Sequence, residues 1–410
     1  MITIETLKNG LSVIVEEISH VESAAYELII PGGIVTDKKG AVGASLICAE
    51  LTSRGAGGMD SKALSNGFED AGIRHGEGGG FDKVSYRGSL LAEKLPLALT
   101  LVSQMVLDPA LPEDELSSIK SLYLQDIKAL EDNPARKCMV ELGKRYYPDP
   151  FARPSMGTIE GIENASIDEI EAVWKKNFTP SRAILSVAGK VNAKEVLDQV
   201  LKLFGNWSGE SVVLPKFGEL PKHESIHIES DSAQLQIALS YPSVKFGEPL
   251  YYTSKVGSGI LSGGMFGRLF IEVREKRGLC YSVFARHSAT KDFGTVTAYA
   301  GTTPARAQET LDVMVKELRS IPGTVTKEEL QRAKANLKSS LIISEESAGA
   351  RASSNASDYF LDGRVRSLDE ISDRIDVVGL DSVDQFFTEY PANSFMLLTL
   401  GATKLVIPAI

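Results

Sequence analysis

The chain has 410 residues, of which 43% are hydrophobic and 24% charged, a composition typical of soluble globular proteins and long enough for two domains. A net charge of −10 and a sequence pI near 5.2 argue against nucleic acid as a partner, since nucleic-acid binders carry a basic patch. The sequence contains no secretory signal pattern and no apolar run of about 18 residues, so we expect a cytoplasmic protein without membrane insertion.

The predicted elements of the first half mix strands and helices. Period-two patterns predict strands over 11–17, 24–33, 82–91 and 183–189, and apolar stripes predict helices over 42–55, 61–72 and 111–132. Pro112 and three acids open the last of these helices, and Ser166 with Glu169 forms a capping box before another. The glycine-rich 75–82 is interpreted as a turn. Because the order lacks a regular βαβ rhythm, it favours an α+β fold.

The chain also repeats itself. LPEDELSSIKSLYL at 111–124 is echoed by VTKEELQRAKANLK at 325–338, and FTPSRAILSVAG at 178–189 by YPANSFMLLTLG at 390–401. Both pairs are offset by about 210–215 residues. The repeat predicts two tandem α+β units, 1–210 and 211–410, each a mostly antiparallel sheet covered by helices.

The sequence matches one zinc-protease motif without the helical pattern that the motif needs. HESIH at 223–227 matches H-E-x-x-H, but two histidines four apart share a metal only on a helix. The flanking residues alternate with period two, so the sequence predicts a strand and no zinc site here. GSGILSGG at 257–264 does not follow the dinucleotide fingerprint, and we interpret it as a flexible glycine loop.

Several phrases in order along about 400 residues resemble the pitrilysin / mitochondrial-processing-peptidase family of inverzincin metallopeptidases. They include LKNGLSVIVEE, EDNPARK, the block PSMGTIEGIENASIDEIEAVWKKNFTPSRAILSVAGKV, and GMFGRLFIEVREKRGLCYSVFARH. The resemblance implies tandem α+β units of the same size as those indicated by the repeat. It also implies a zinc motif H-x-x-E-H on a helix after the second strand, with a distal glutamate ligand.

This chain departs from the family at that motif. The matching stretch is GASLICAELTSRGA, where Leu46 and Glu50 replace the two histidines and Ala49 replaces the catalytic glutamate. Asp126 falls near the distal ligand position. Leucine and alanine offer no metal donor and no base, so we expect no bound metal or other cofactor. An alternative is a rebuilt site in which His75 and Glu77 join Glu50 and Asp126; the ordinary interpretation is a solvated acidic helix face.

A second family feature is retained. The resemblance assigns substrate-contacting roles to an arginine and a tyrosine seven residues apart, which match Arg274 and Tyr281 in REKRGLCY. A guanidinium and a phenol can donate hydrogen bonds to a peptide backbone and to the charge that develops in amide hydrolysis. The structural alternative is a surface arginine beside a half-buried tyrosine.

The resemblance implies three functions. The main hypothesis is a non-catalytic subunit, inactive alone, that binds extended peptides and supports proteolysis by a zinc-bearing homologous partner. A structural or assembly subunit without a proteolytic role is the alternative, and an active metalloendopeptidase with a rebuilt site is the weakest. Either a heterodimer with the zinc-bearing chain or a homodimer would complete the four-unit chamber of the family.

Overall fold

The computed structural model describes residues 1–220, 224–344 and 346–408. Thirteen strands are present in this part of the chain: β1 Ile2–Thr6, β2 Ser12–Glu17, β3 Ser23–Pro31, β4 Gly55–Ala56, β5 Met59–Asp60, β6 Arg74–Gly79, β7 Lys83–Leu91, β8 Ile184–Gly189, β9 Ser225–Glu229, β10 Leu235–Ser243, β11 Cys280–Ala289, β12 Gly294–Thr302 and β13 Met396–Gly401.

Fourteen α-helices accompany these strands in the described ranges: α1 Ala44–Leu51, α2 Ser61–Glu69, α3 Leu95–Leu107, α4 Glu113–Lys128, α5 Pro134–Tyr146, α6 Ile159–Asn164, α7 Ile167–Asn177, α8 Ala193–Phe204, α9 Tyr251–Ser262, α10 Ala307–Arg319, α11 Lys327–Ser344, α12 Ala348–Asp362, α13 Leu368–Asp376 and α14 Leu380–Glu389. None of the helices described is long and apolar enough to cross a membrane.

The contacts divide the chain into two compact units. Unit 1 comprises 1–129, 153–215 and 344–365, and unit 2 comprises 130–152, 216–343 and 366–410. The predicted division at 210/211 lies near the crossing at 215/216. The chain also passes from one unit to the other at 129/130, 152/153, 343/344 and 365/366. As a result, α5 belongs to unit 2 and α12 to unit 1. Sequence periodicity reports that these helices are amphipathic but does not report which sheet covers their apolar face.

Each unit is built on one main sheet. In unit 1 the strand order is β1-β2-β8-β3-β7-β6, and in unit 2 it is β11-β12-β10-β13-β9. All neighbouring pairs are antiparallel except β2 with β8 and β13 with β9. Helices cover these sheets, so the predicted α+β class with mostly antiparallel sheets is confirmed.

Small side chains let α12 approach the sheet of unit 1 closely. Ala348 and Ala352 pack against Ala25 and Ala188, and Ala356 packs one turn further along against isoleucines of the same face. Arg351 on the same helix pairs with Glu16 of β2. The opposite face of the sheet is covered by the larger apolar cluster to which α1, α3 and α8 contribute. The central strands β2, β3 and β8 are therefore buried on both faces.

In unit 2, α5 supplies a comparable cover. Cys138, Leu142 and Tyr146 of this helix are buried against a sheet face that includes Leu398 and Leu400 of β13. Burial raises the pKa of the Cys138 thiol to about 12, so this cysteine behaves as a small apolar side chain.

Several predicted elements are confirmed. The helix that begins after Pro112 is α4, and the Ser166 side chain accepts a hydrogen bond from the Glu169 amide at the start of α7. The strand predicted around HESIH is β9, in which Nδ1 of His227 lies 2.9 Å from Oγ1 of Thr399. His223 lies outside the described residues.

Two predictions about glycine-rich segments are wrong over most of their length. Residues 74–79 form the strand β6, so the turn predicted over 75–82 is confined to 80–82, and 257–262 belong to the helix α9. In both, glycine provides close packing: a Cβ at Gly79 would lie 2.9 Å from Cα of Leu46, and one at Gly257 would lie 3.0 Å from the ring of Phe387. Glycine in a strand or helix can mark a close approach of another segment, which local sequence does not reveal.

A buried histidine links α9 to the sheet of unit 2. His287 is 4% exposed; its Nε2 donates to the Val244 carbonyl at 2.8 Å, and its Nδ1 lies 3.0 Å from Oγ of Ser254. Burial, reinforced by the positive charge of Lys255 and opposed by the bond to Val244, lowers the pKa of His287 to about 4. The folded protein therefore holds this imidazole neutral at neutral pH.

Acid should consequently destabilise the wild type more than the variant His287→Gln. The folded pKa near 4 lies below the unfolded value of 6.5, so His287 contributes stability above 6.5 that is lost as pH falls towards 4, about 3 kcal/mol in all. Chemical unfolding at several pH values, monitored by circular dichroism, measures the wild-type minus variant difference. Asp37, whose pKa burial raises to about 6, acts in the opposite direction but cancels in this comparison. A difference independent of pH would contradict the assignment.

Candidate functional site

The first candidate site is the helix α1, whose N-terminal amides donate hydrogen bonds to a buried carboxylate. Oδ2 of Asp37 accepts the Gly43 amide at 2.8 Å, and Oδ1 accepts the Ser45 amide at 3.2 Å. Arg153 donates to the carbonyls of Ile34 and Asp37, which holds the preceding loop. Asp37 thus satisfies amides at the start of the helix that have no intrahelical partner.

Two of the predicted zinc-motif positions are apolar and enclosed. Leu46 is 2% exposed and packs with Ile34, Val42 and Tyr123, while Ala49 is fully buried. Neither side chain has a donor atom for a metal or a base for water. The tight contact of Gly79 with Leu46 leaves the helix directly against β6.

Carboxylates do gather near this helix. The pKa of Tyr123 is raised by burial and by the negative charges of Glu50, Glu77 and Asp126, which places all three acids around one phenol. The Tyr123 hydroxyl lies 3.4 Å from the Leu46 carbonyl. The structure therefore brings the predicted positions Leu46, Glu50 and Asp126 together within unit 1.

The positive charge beside these acids comes from protein side chains. Arg54 pairs with Glu50 one helical turn away. Burial alone would raise the pKa of Glu77, but hydrogen bonds from His75 and Ser53 and the charges of His75 and Arg54 lower it. Nδ1 of His75 lies 3.9 Å from Oε2 of Glu77. Arg54 is therefore the counter-ion of Glu50.

The residues present do not fit a zinc centre. Across the described ranges, no group of three histidines, cysteines or acids has the geometry to hold a metal ion. A hydrolytic zinc needs three protein ligands, whereas Leu46 and Ala49 provide none and Glu50 is engaged by Arg54. His75 is stacked on Phe68, with ring centroids 3.9 Å apart. Sequence reasoning missed the role of Arg54, although its spacing of four residues from Glu50 was an available local signal; its proximity to Glu77 depends on the fold.

The second candidate site lies in unit 2, where a turn connects a π-helical segment to β11. Arg274 belongs to the π-helix Phe270–Glu275, and Tyr281 is the second residue of β11. Gly278, with φ of 60°, donates to the Arg274 carbonyl at 2.9 Å, and Leu279 donates to Val273 at 3.0 Å. These bonds close the turn that brings Arg274 and Tyr281 together.

The arginine is held between two aromatic rings. Its guanidinium carbon lies 4.8 Å from the ring centroid of Phe270 and 5.0 Å from that of Tyr281. Within the part of the chain that the structure describes, no group accepts a hydrogen bond from this guanidinium. The neighbouring Glu272 is instead engaged by Lys276 and Arg277. The pair therefore presents a fixed, uncommitted set of donors.

Tyr281 is turned outward by an irregularity in β11. The pairing with β12 shifts register between Cys280 and Ser282, and Tyr281 is 81% exposed. A bulge of this kind redirects one side chain away from the regular alternation. The predicted pair of Arg274 and Tyr281 is thus adjacent, with the phenolic hydroxyl free to donate; whether the pair contacts substrate stays a prediction.

Comparison with known families and proteins gives one consistent result. The family model Insulinase (Peptidase family M16) matches residues 12–158, and the model Peptidase M16 inactive domain matches 164–337. The chain is 28% identical to the uncharacterized zinc protease YmxG of Bacillus subtilis, with 95% of this chain and 96% of that protein covered. It is 26% identical to an uncharacterized zinc protease of Rickettsia bellii, with 91% and 90% covered.

Solved structures with the same fold cover nearly the whole chain. A crystal structure described as the peptidase M16 inactive domain from Pseudomonas fluorescens superposes with a TM-score of 0.89 at 22% identity and covers 100% of both chains. A protease from Helicobacter pylori gives a TM-score of 0.88 at 20% identity, covering 98% of this chain and 99% of the other. At these identities the likeness concerns the fold.

Proposed function

Since this chain belongs to peptidase family M16, we propose that it is a non-catalytic member that binds extended peptides and supports proteolysis by a zinc-bearing homologous partner. The observation that supports this most is a contrast between two sites. The helix α1 has no metal donor at Leu46 or Ala49, whereas Arg274 has no hydrogen-bond acceptor among the described residues and lies beside Tyr281.

An exposed sheet edge supports peptide binding. In unit 1, β6 is at the end of the strand order and, among the described residues, pairs only with β7. Its free edge presents main-chain donors and acceptors to which an extended peptide can add as a further strand. Recognition through backbone hydrogen bonds tolerates many peptide sequences.

The purified chain alone is expected to contain no stoichiometric zinc and to cleave no peptide, because α1 offers neither the ligands nor the base that a hydrolytic zinc requires. Elemental analysis and cleavage of a quenched fluorescent peptide library measure both properties. Adding a homologous chain with an intact H-x-x-E-H should produce chelator-sensitive cleavage. A partner chain assayed alone under the same conditions serves as the control.

Three outcomes separate the hypotheses. Cleavage that rises when the two chains are combined supports the non-catalytic subunit. One tightly held zinc per chain with chelator-sensitive cleavage by the isolated protein would contradict the proposal and favour a rebuilt site. Co-purification with a zinc-bearing chain whose activity is the same with and without this protein would favour the assembly role.

A further inference from the structure

A second feature of β6 lies on the sheet face opposite α1. An open pocket of about 310 Å³ is formed there within unit 1, between the edge strands and the start of α12. Gly76 and Ser89 form its floor, the side chains of Arg74 and Arg87 line it, and Gly349 and Ser353 of α12 close one side. Of the residues described above near α1, His75 also lines this pocket.

The pairing register places both arginines on one face with Gly76 and Ser89, whereas Tyr26, His75 and Gly88, which also line the pocket, pair with one another on the other face. Arg74 is opposite Ser89, and Gly76 is opposite Arg87, which is in turn opposite Glu27 of β3. Directly paired residues of antiparallel strands share a face, so the two arginines point to the side that α12 covers. Gly76 lies between them, and a Cβ there would meet no atom within 4 Å, which keeps the floor open.

The pocket has an excess of positive charge. Over the ranges that the structure describes, no carboxylate comes within ion-pairing distance of Arg74 or Arg87. Glu27, which is buried and directly opposite Arg87, is the nearest acid in the register. A cleft lined by one sign of charge focuses the electrostatic field on its opening and favours an anion.

The position of the pocket indicates where that anion comes from. A peptide added to the free edge of β6 would lie about 4.8 Å from it, with alternate side chains on the α12 face. A residue paired with Gly76 would project over the missing side chain of the glycine towards Arg87, with Arg74 two residues away along β6 on the same face. A glutamate at that point has the length to reach them.

We propose that this pocket recognises a carboxylate of an extended peptide bound along β6, so that peptides with a suitably placed acidic residue are preferred. The inference depends on the proposed peptide-binding function and adds a substrate class to it. The bound carboxylate could belong to an acidic side chain or to a free C-terminus. The choice of peptides distinguishes these two sources.

The test uses labelled oligothreonine peptides with the full-length chain. One peptide has a single central glutamate and a second has glutamine there, both with acetylated and amidated ends, and a third is the glutamine peptide with a free C-terminus. Fluorescence anisotropy should give a Kd for the glutamate or the free-carboxylate peptide that is about tenfold lower than for the neutral peptide.

Paired variants identify the pocket. Arg74→Gln combined with Arg87→Gln should equalise the affinities without weakening the neutral peptide. Gly76→Val should also abolish the preference for the charged peptide by filling the floor while both charges stay. Gly78→Val is the matched control, because it lies two residues along on the same face, also meets no atom within 4 Å, and does not line the pocket.

Three negative results of the binding experiment lead to different conclusions. Equal affinities of the charged and neutral peptides for the wild type would overturn the carboxylate pocket and leave peptide binding intact. A preference that survives the double arginine substitution would also overturn it. Absence of binding by all three peptides would overturn both this inference and the proposed peptide-binding function.

Discussion

Replacing Arg274 by alanine is expected to lower the kcat/KM of the complex with a zinc-bearing partner by about 100- to 1000-fold, the usual effect of removing a donor that stabilises a developing oxyanion. The guanidinium is fixed between Phe270 and Tyr281 and has no internal hydrogen-bond acceptor among the described residues. Its donors are therefore available to a substrate at little cost in side-chain entropy. Tyr281→Phe, which removes only the hydroxyl, should reduce cleavage while the ring contact remains.

The matched control for this prediction is Arg277→Ala. Arg277 lies three residues from Arg274 but is already bound to Glu272, so its loss should leave cleavage nearly unchanged. Co-purification of the partner with each variant checks that the complex still forms. If Arg274→Ala and Arg277→Ala have the same kcat/KM as the wild type, the donor role is wrong and the assembly role is favoured.

Replacing Arg351 by methionine should lower the free energy of unfolding of unit 1 by about 3–5 kcal/mol, because it leaves Glu16 charged and largely buried without its cation. Nε of Arg351 donates to Oε2 of Glu16 at 2.9 Å, and the two side chains are 9% and 15% exposed. Asn355 also donates to the same oxygen, at 2.7 Å, but cannot neutralise it.

Two further variants make this measurement specific. Glu16→Gln in the Arg351→Met background should recover much of the loss, since no unpaired charge is then buried. Lys190→Met removes an exposed ion pair with Glu22 in the same unit and should cost less than about 1 kcal/mol. Both tryptophans, Trp174 and Trp207, lie in unit 1, so their fluorescence during urea unfolding reports on it. Equal losses for Arg351→Met and Lys190→Met would contradict the argument.

The sequence alone was sufficient for the chemistry that depends on residue identity. Leucine and alanine have no donor atoms wherever they lie, so once the family resemblance has matched Leu46 and Ala49 to the zinc motif, the lack of metal ligands there follows from the residue types. Periodicity and capping residues also located α4, α7 and β9, since those signals are local.

The tertiary structure decided everything that depends on contacts between distant segments. Gly79 lies in a strand and Gly257 in a helix, and each glycine allows a close approach, by Leu46 and by Phe387 respectively. Likewise, only the fold brings Glu77 and Tyr123 near the local pair of Glu50 and Arg54, and only the register of β6 with β7 puts Arg74 and Arg87 on one face. Local patterns report the conformation that a segment prefers. They do not report its partner, because pairing is determined by burial and charge summed over the whole unit.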